Sequence, residues 1–339
     1  MTDTAFTFTV VIPTHNRSDA LAETLPALAR QDFDGAWEAV VVNNRCTDDT
    51  DEVVGRQSFP VPLALVHEGV PGAAAARNAG AEVARGRYLV FIDNDILVEP
   101  DFLRRHLAAL EANPGCWVGG QVVNLPEQEA TPFGRFRKAL NPFVPPEAGL
   151  SENEGITGQN LSLPRADFER LGGFDESFFT ASGEDRELAM RARESGVRIL
   201  FDPSNVVLHN DWAGSTIRDY CLRQRLYTLT EPLFWGKYGE DYPRIQLVRE
   251  NLPPDLKRDG LKLAAWKRVK GLLGSRGGQA AVLGACAVAE RALPWRPLLW
   301  RLYRMAIAGA IYRGFRDGMK KAGAAAGGAG GGAAKEYAD

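Results

Sequence analysis

The sequence predicts an α/β protein built on a parallel sheet with crossover helices, followed by a basic helical segment. Three observations carry this reading. Apolar strand-like runs alternate with helix-like runs between positions 6 and 92. Strand-like runs end in polar residues, the arrangement of a ligand site at the carboxyl ends of a parallel sheet. Charge also changes sign along the chain: fifteen Lys and Arg stand against four Asp and Glu between Asp255 and Lys321, a net +11, which leaves −13 for residues 1–254.

Phe6, Phe8, Val10 and Ile12 alternate with Thr7, Thr9 and Val11, the period-2 pattern of a strand, and Pro13 is expected to stop it. Leu21, Leu25 and Leu28 then fall at helical spacing, with Pro26 implying a kink or a late start. The apolar run 39–42 ends in Asn43 and Asn44 and leads into an acidic helix start at Thr47-Asp48-Asp49-Thr50. Residues 63–66, the alanine-rich 73–84 and 88–92 repeat the strand–helix–strand unit. Pro126, Pro132, Pro142, Pro145 and Pro146 predict a long irregular excursion over 124–150. Beyond it, 156–163 reads as a strand, 184–194 as a helix, and 197–200 and 206–208 as two short strands. Helices dominate afterwards, and 322–334, only Ala and Gly, is expected to be disordered.

A chain of 339 residues with 45% hydrophobic and 24% charged residues can bury a full core in one large domain or two smaller ones. The four cysteines, Cys46, Cys116, Cys221 and Cys286, are far apart and form no CxxC pair, so neither a disulfide framework nor a zinc knuckle is expected. Residues 1–9 lack the apolar run of a cleavable signal, and the expectation is a cytosolic chain.

The sharpest chemical signal is Asp93-Asn94-Asp95, two carboxylates at the end of the apolar run 90–92. Extended geometry would put both on one side, where they can hold a hard divalent cation that bridges diphosphate oxygens; an Asp-rich turn is the plain alternative. Gly183-Glu184-Asp185 opens a helix, where acidic groups suit the dipole and where one carboxylate can serve as general base toward an acceptor hydroxyl. Asp185 is the choice for that role, with Glu184 beside it. Pro13, Thr14 and Asn16 follow the first strand, and Asn43 and Asn44 the second, where amide and hydroxyl groups can meet a base and ribose. Arg77 lies near a helix start and can pair with phosphate, and His209 follows the short run 206–208 as a third metal-ligand candidate.

Taken in order, Val11-Ile12-Pro13-Thr14-His15-Asn16-Arg17, the stretch from Val42 through Asn43 and Asn44 to Thr50, Ala76-Arg77-Asn78-Ala79-Gly80, Asp93-Asn94-Asp95, Leu171-Gly172-Gly173-Phe174-Asp175 and Gly183-Glu184-Asp185 resemble the family 2 inverting glycosyltransferases of the GT-A fold. The resemblance covers roughly Phe6 to His209. It implies a Rossmann-like mixed, mainly parallel sheet flanked by helices, with a C-terminal helical segment. It further implies that Asp93 and Asp95, as the DxD motif, bind Mg²⁺ or Mn²⁺ and the donor diphosphate, with Asn94 between them, and that His209 completes the metal site. Asp185 is implied as the base, Thr14 and Asn16 as nucleoside contacts, and Arg77 as a neighbour of the diphosphate. Gln159, Asn160, Gly172 and Gly173 are expected to shape the acceptor side. Where members often carry Asp after the second strand, this chain has Asn43 and Asn44, so the donor stays open among UDP-, GDP- and TDP-sugars.

The expected organisation is a catalytic domain over 1–235, a basic amphipathic helical region over 236–321 and a tail over 322–339. The expected reaction is hexosyltransferase-like transfer to a glycan or lipid-linked acceptor, as in cell envelope polysaccharide biosynthesis. The basic region alternates Lys and Arg with Trp266, Trp295, Trp300 and Tyr303, a mixture that suits an anionic membrane surface better than nucleic acid. Its longest uncharged run, 277–289, is too short to cross a bilayer, so the chain is placed in the cytosol or peripherally on the inner face of the plasma membrane. A non-catalytic sugar-nucleotide-binding or scaffolding module at the membrane surface is the competing class. Nucleotidyl transfer and dinucleotide oxidoreduction are disfavoured, because no glycine-rich phosphate loop follows Ile12.

Overall fold

The computed structural model describes residues 6–153, 155–178, 183–292 and 296–327. Its elements run β1 (Phe6–Thr14), α1 (Ser18–Ala29), β2 (Trp37–Asn43), α2 (Thr50–Gly55), β3 (Leu63–His67), α3 (Ala73–Glu82), β4 (Gly86–Phe91), β5 (Ile96–Val98) and α4 (Phe102–Ala112). There follow β6 (Trp117–Asn124), α5 (Pro126–Glu129), α6 (Pro132–Leu140), β7 (Ser151–Glu152), β8 (Leu161–Pro164), α7 (Arg165–Arg170), α8 (Glu184–Glu194) and β9 (Ile199–His209). The remainder is helical: α9 (Ile217–Tyr227), α10 (Glu231–Tyr238), α11 (Ile245–Asn251), α12 (Leu256–Gly274), α13 (Arg276–Ala292) and α14 (Arg296–Gly327).

The nine strands form one mixed sheet in the order β3-β2-β1-β4-β8-β6-β9-β5, with β7 paired to β9. Strands β3, β2, β1 and β4 are mutually parallel, as are β6 and β9, while β8 runs antiparallel to β4 and β6. The parallel strands are apolar on both sides because both faces are covered. Phe8, Val10 and Ile12 enter one core with Leu21, Leu25, Phe102 and Leu103 of α1 and α4, whereas Val11, Leu89 and Phe91 enter the other with Phe168 and Leu188 of α7 and α8.

Several boundaries differ from the sequence reading. Strand β1 continues through Pro13 to Thr14, since a proline costs only its own donor. Helix α1 carries Pro26 inside it without breaking. The strand expected over 156–163 begins only at Leu161, and the two short strands near 200 and 207 are one strand, β9, with a register shift opposite Gly120 and Gln121.

Two compact units are present: Met1–Leu125 with Pro142–Asp211, and Pro126–Asn141 with Trp212–Asp339. The boundary expected at 235 thus lies in α10, inside the Trp212–Asp339 segment of the second unit. The proline-rich excursion contains two helices, with Pro126 and Pro132 at their first positions, where a missing N–H is harmless, and Thr131 Oγ capping Gly134 N at 2.8 Å. Phe133 and Phe136 of α6 pack on Tyr303 with ring centroids 5.1 and 5.2 Å away, in a helical core that includes Ile217, Cys286 and Ala306. Residues 322–327, expected to be disordered, continue α14; residues 328–339 lie outside the described residues.

Candidate active site

Strand β4 ends at Phe91, and Ile96 N donates to Asp93 O at 3.3 Å, so Asp93-Asn94-Asp95 is a tight turn rather than an extended segment. The turn separates the two carboxylates. Asp93 Oδ1 accepts from Arg77 at 2.7 Å, whereas Asp95 faces His209 Nε2 at 3.5 Å and Arg17 at 3.6 Å. Asn94 anchors the turn by accepting at its carbonyl from Thr24 Oγ at 2.8 Å. His209, the last residue of β9, is held in register between Ile96 of β5 and Asn124 of β6.

Gln159 Nε2 lies 3.1 Å from His209 Nε2, where an amide N–H can only donate, so that ring nitrogen is the acceptor of the contact. Two ligands of one cation, each at about 2.1 Å, lie roughly 3 to 3.5 Å apart, so Asp95 and His209 fit a shared divalent ion. Asp93 does not join them: among the described residues no three His, Cys, Asp or Glu side chains gather as a metal cage. Arg77 takes Asp93 out of it.

Arg77 is the hinge of the site. Its side chain, 5% exposed, donates to Asp93 Oδ1 and to Glu184 Oε1, both at 2.7 Å, and so ties the turn after β4 to the first turn of α8. Phe174 lies beneath the guanidinium at 5.5 Å, and Gly158 lies so close that a Cβ there would stand 2.6 Å from Arg77 Cζ. Burial disfavours the Arg77 charge, but Asp93, Glu184 and Asp185 outweigh it and hold the guanidinium firmly protonated. Burial and the neighbouring Asp185 raise Glu184 to about 7 against the pull of Arg77. Burial likewise raises Asp185, with Arg77 pulling the other way. Asp185 Oδ1 accepts from Arg186 N at 2.7 Å, and the residue is partly open to solvent. Arg77 Nε and Glu184 Oε2 are buried without hydrogen-bond partners among the described residues.

The loops after β1 and β2 are laced together. Asn16, at φ 49°, accepts with its side chain from Thr47 N at 2.7 Å, and Asn43 accepts from Cys46 N at 2.7 Å while donating to Asp51 at 2.6 Å. Asn44 donates to Val70 O at 2.6 Å and accepts from Gly72 N at 2.9 Å. The amides of Asn43 and Asn44, expected to face a base and ribose, are thus engaged in hydrogen bonds within these loops. Thr14 Oγ, beside Pro13 at the end of β1, is buried with no hydrogen-bond partner among the described residues.

The four residues expected on the acceptor side differ in their surroundings. Asn160 is fully buried, accepting from His106 Nε2 at 3.0 Å and donating to Asn205 O at 3.0 Å, a satisfied core amide. Gly172 and Gly173, at φ 79° and 70°, form the turn after α7, where a side chain would be strained; Asn78 and Arg191 bond that turn's backbone. Of the four, Gln159 alone joins the Asp95–His209 group. The sequence reading missed three residues here: Arg17, which also lies 4.0 Å from Asp211; Asp211 itself, two positions after His209; and Gly158, which seats Arg77. Only Arg17 lay inside a quoted motif.

Residues 9–158 match the profile described as Glycosyl transferase family 2, and residues 146–207 match one described as N-terminal domain of galactosyltransferase. A validoxylamine A glucosyltransferase of Streptomyces hygroscopicus subsp. jinggangensis (strain 5008) is 34% identical over 229 residues, covering 56% of this chain and 51% of that protein. A pre-mycofactocin glycosyltransferase of Mycobacterium tuberculosis (strain ATCC 25618 / H37Rv) is 28% identical over 229 residues, covering 65% of this chain and 45% of that protein. The chain thus spans about half the length of the curated relatives it matches. Among solved structures, the mannosyltransferase PcManGT from Pyrobaculum calidifontis in complex with GDP-Man and Mn²⁺ superposes with a TM-score of 0.56 at 24% identity, covering 91% of this chain and 87% of that one. Residues 9–158 thus carry the match to glycosyl transferase family 2, and the chain has the GT-A fold.

Proposed function

We propose that this chain is an inverting, hexosyltransferase-like enzyme that moves a sugar from a UDP-, GDP- or TDP-sugar to a hydroxyl of a glycan or lipid-linked acceptor. The observation that carries the reading is the Arg77 bridge. It brings a carboxylate-bearing turn and a helix opening on Glu184–Asp185 to one place although they are far apart in sequence. Relatives named for glucosyl and glycosyl transfer support the reaction class.

In this reading Thr14 and the Asn16 loop meet the nucleoside, and Arg17 meets the diphosphate. Asp95 and His209 would hold Mg²⁺ or Mn²⁺, with Asp93 close by. When bound, the ion supplies positive charge against the diphosphate leaving group. Asp185 takes the acceptor hydroxyl proton while the acceptor oxygen forms its bond to the anomeric carbon. The bond from that carbon to the phosphate oxygen breaks on the opposite side, and its electron pair leaves with the nucleoside diphosphate. A carboxylate raised by burial is a stronger base than an exposed one, which suits Asp185 to the task. Glu184, engaged by Arg77, positions the helix start rather than moving the proton. A lipid-linked acceptor would be met on the inner face of a plasma membrane.

The test is a panel of nucleotide sugars assayed with Mn²⁺ for thermal shift and slow donor hydrolysis, followed by Asp185→Asn with the best donor. The variant is expected to keep donor binding and to lose transfer by about 100-fold or more. Normal turnover in Asp185→Asn would refute the base assignment, and no response to any nucleotide sugar would refute the reaction class.

A further inference from the structure

Helix α12 has two unlike sides. It breaks at Gly260 (φ 67°, ψ 172°), and from Leu261 onward its inner side is built of Ala264, Lys267, Lys270 and Gly274. Gly274 is close-packed on α14, where a Cβ would stand 2.5 Å from Gly309 O. Lys267 is fully buried on Asp259 at 2.7 Å, and Lys270 donates to Glu250 O at 2.6 Å and Asn251 Oδ1 at 3.1 Å. These cations serve the interior of the unit.

The outer side consists of two adjacent helical ridges. One carries Leu261, Ala265, Arg268 and Leu272, and the other Lys262, Trp266 and Val269, all exposed. Leu261 is 78% exposed, Leu272 69%, and Trp266 and Val269 41% each. Positions 261–274 contain no Asp or Glu. An apolar stripe edged by Lys, Arg and Trp is the pattern of a helix that lies in the plane of an anionic interface. Among the described residues no helix is long and apolar enough to cross a membrane, which leaves surface docking as the membrane mode of these helices. The surrounding segment's net +11 over 255–321 is complementary to an anionic leaflet.

We propose that the outer face of α12 docks flat on an anionic lipid bilayer, with Leu261, Trp266, Val269 and Leu272 entering the interfacial layer and Lys262 and Arg268 on lipid phosphates. This stands whether or not the sugar-transfer reading holds.

The experiment is flotation of the full chain with vesicles of pure phosphatidylcholine and of phosphatidylcholine containing phosphatidylglycerol. The wild type is expected to float only with the anionic vesicles. In Lys262→Glu/Arg268→Glu, partitioning should fall roughly 20-fold or more, since each basic group near an anionic leaflet is worth about fivefold. Leu261→Ser/Leu272→Ser should reduce it by about 100-fold from lost apolar burial. All four positions are exposed, so melting curves of the variants should match the wild type, and tryptophan fluorescence should shift to the blue only with anionic vesicles, a shift that Trp266→Phe should reduce. Failure to float with anionic vesicles, equal flotation with both kinds, or undiminished flotation of the variants would overturn the proposal. So would sedimentation showing that the face instead joins two copies of the chain.

Discussion

Replacing Arg77 by Met tests whether the site is held together as argued. The guanidinium, 5% exposed, is shared between Glu184 at 4% and Asp93 at 28%, each at 2.7 Å. Removing one partner of a buried pair strands the other charge, at a cost of about 3 to 5 kcal/mol. Asp93 can recover some water, so the lower end, about 3 kcal/mol, is expected; in a unit of this size that lowers Tm by roughly 6 to 12 °C. The loss should depend on pH. Glu184 titrates at about 7 in the folded protein against an ordinary 4.5, so the folded state favours its neutral form. Stability from that group is complete below the ordinary value and is lost as pH rises through the folded one. Without Arg77 the charged form loses its counterion, so the variant's deficit should be largest above pH 7 and shrink below it. Urea denaturation of the wild type, Arg77→Met and Arg77→Met/Glu184→Met across that range is the assay. The double variant should recover much of the stability while transfer stays lost, because the stranded charge is gone but the turn is still untied. A single variant within about 1 kcal/mol of the wild type at pH 8, or a double variant no better than the single one, would refute the reasoning.

Gly158→Ala should force Arg77 aside, costing about 1 to 3 kcal/mol and reducing transfer, as read by urea denaturation and initial rates. Asp95→Ala should weaken Mn²⁺-dependent donor binding by at least about 100-fold while leaving metal-free binding nearly unchanged, measured by titration calorimetry. Asn160→Ala should cost about 2 to 3 kcal/mol by stranding the groups around His106, with the acceptor KM unaltered; a raised KM in a stably folded variant would restore Asn160 to the acceptor side. Burial holds His106 down at about 4, so the unfolded chain binds the proton more readily between about 4 and 6.5. Relative to His106→Gln, the wild type should therefore lose about 3 kcal/mol as pH falls through that window, and a constant difference would show that His106 is not buried neutral.

The alternation of Phe8, Val10 and Ile12, the run 39–42 and the alanine-rich stretch from Ala73 were enough to place strands and crossover helices, because period and local propensity act within a few residues. Asp93 and Asp95 were visible for the same reason, as carboxylates next to a buried strand. Helix α8 was located at its observed bounds, since Gly183 and the acidic first turn are local signals. Local signals failed where a partner distant in sequence decides the outcome. Thr131, Phe133 and Phe136 make helix α6 from a stretch that read as irregular, because its aromatic face is buried on Tyr303.

The site divides along the same line. The sequence by itself determined which groups were available: two carboxylates at the end of an apolar strand, a Glu–Asp helix start, an arginine and a histidine. Tertiary structure alone decided their assignments. It turned Asp93 to Arg77 and Asp95 to His209, and it made Glu184 the anchor beside Asp185. It also drew Asn43, Asn44 and Asn160 into internal hydrogen bonds. The physical reason is that a polar side chain advertises its chemistry locally, but for Arg77, Asp95, Asn160 and Glu184 the partners and the burial come from residues tens of positions away, which only the packed sheet brings together.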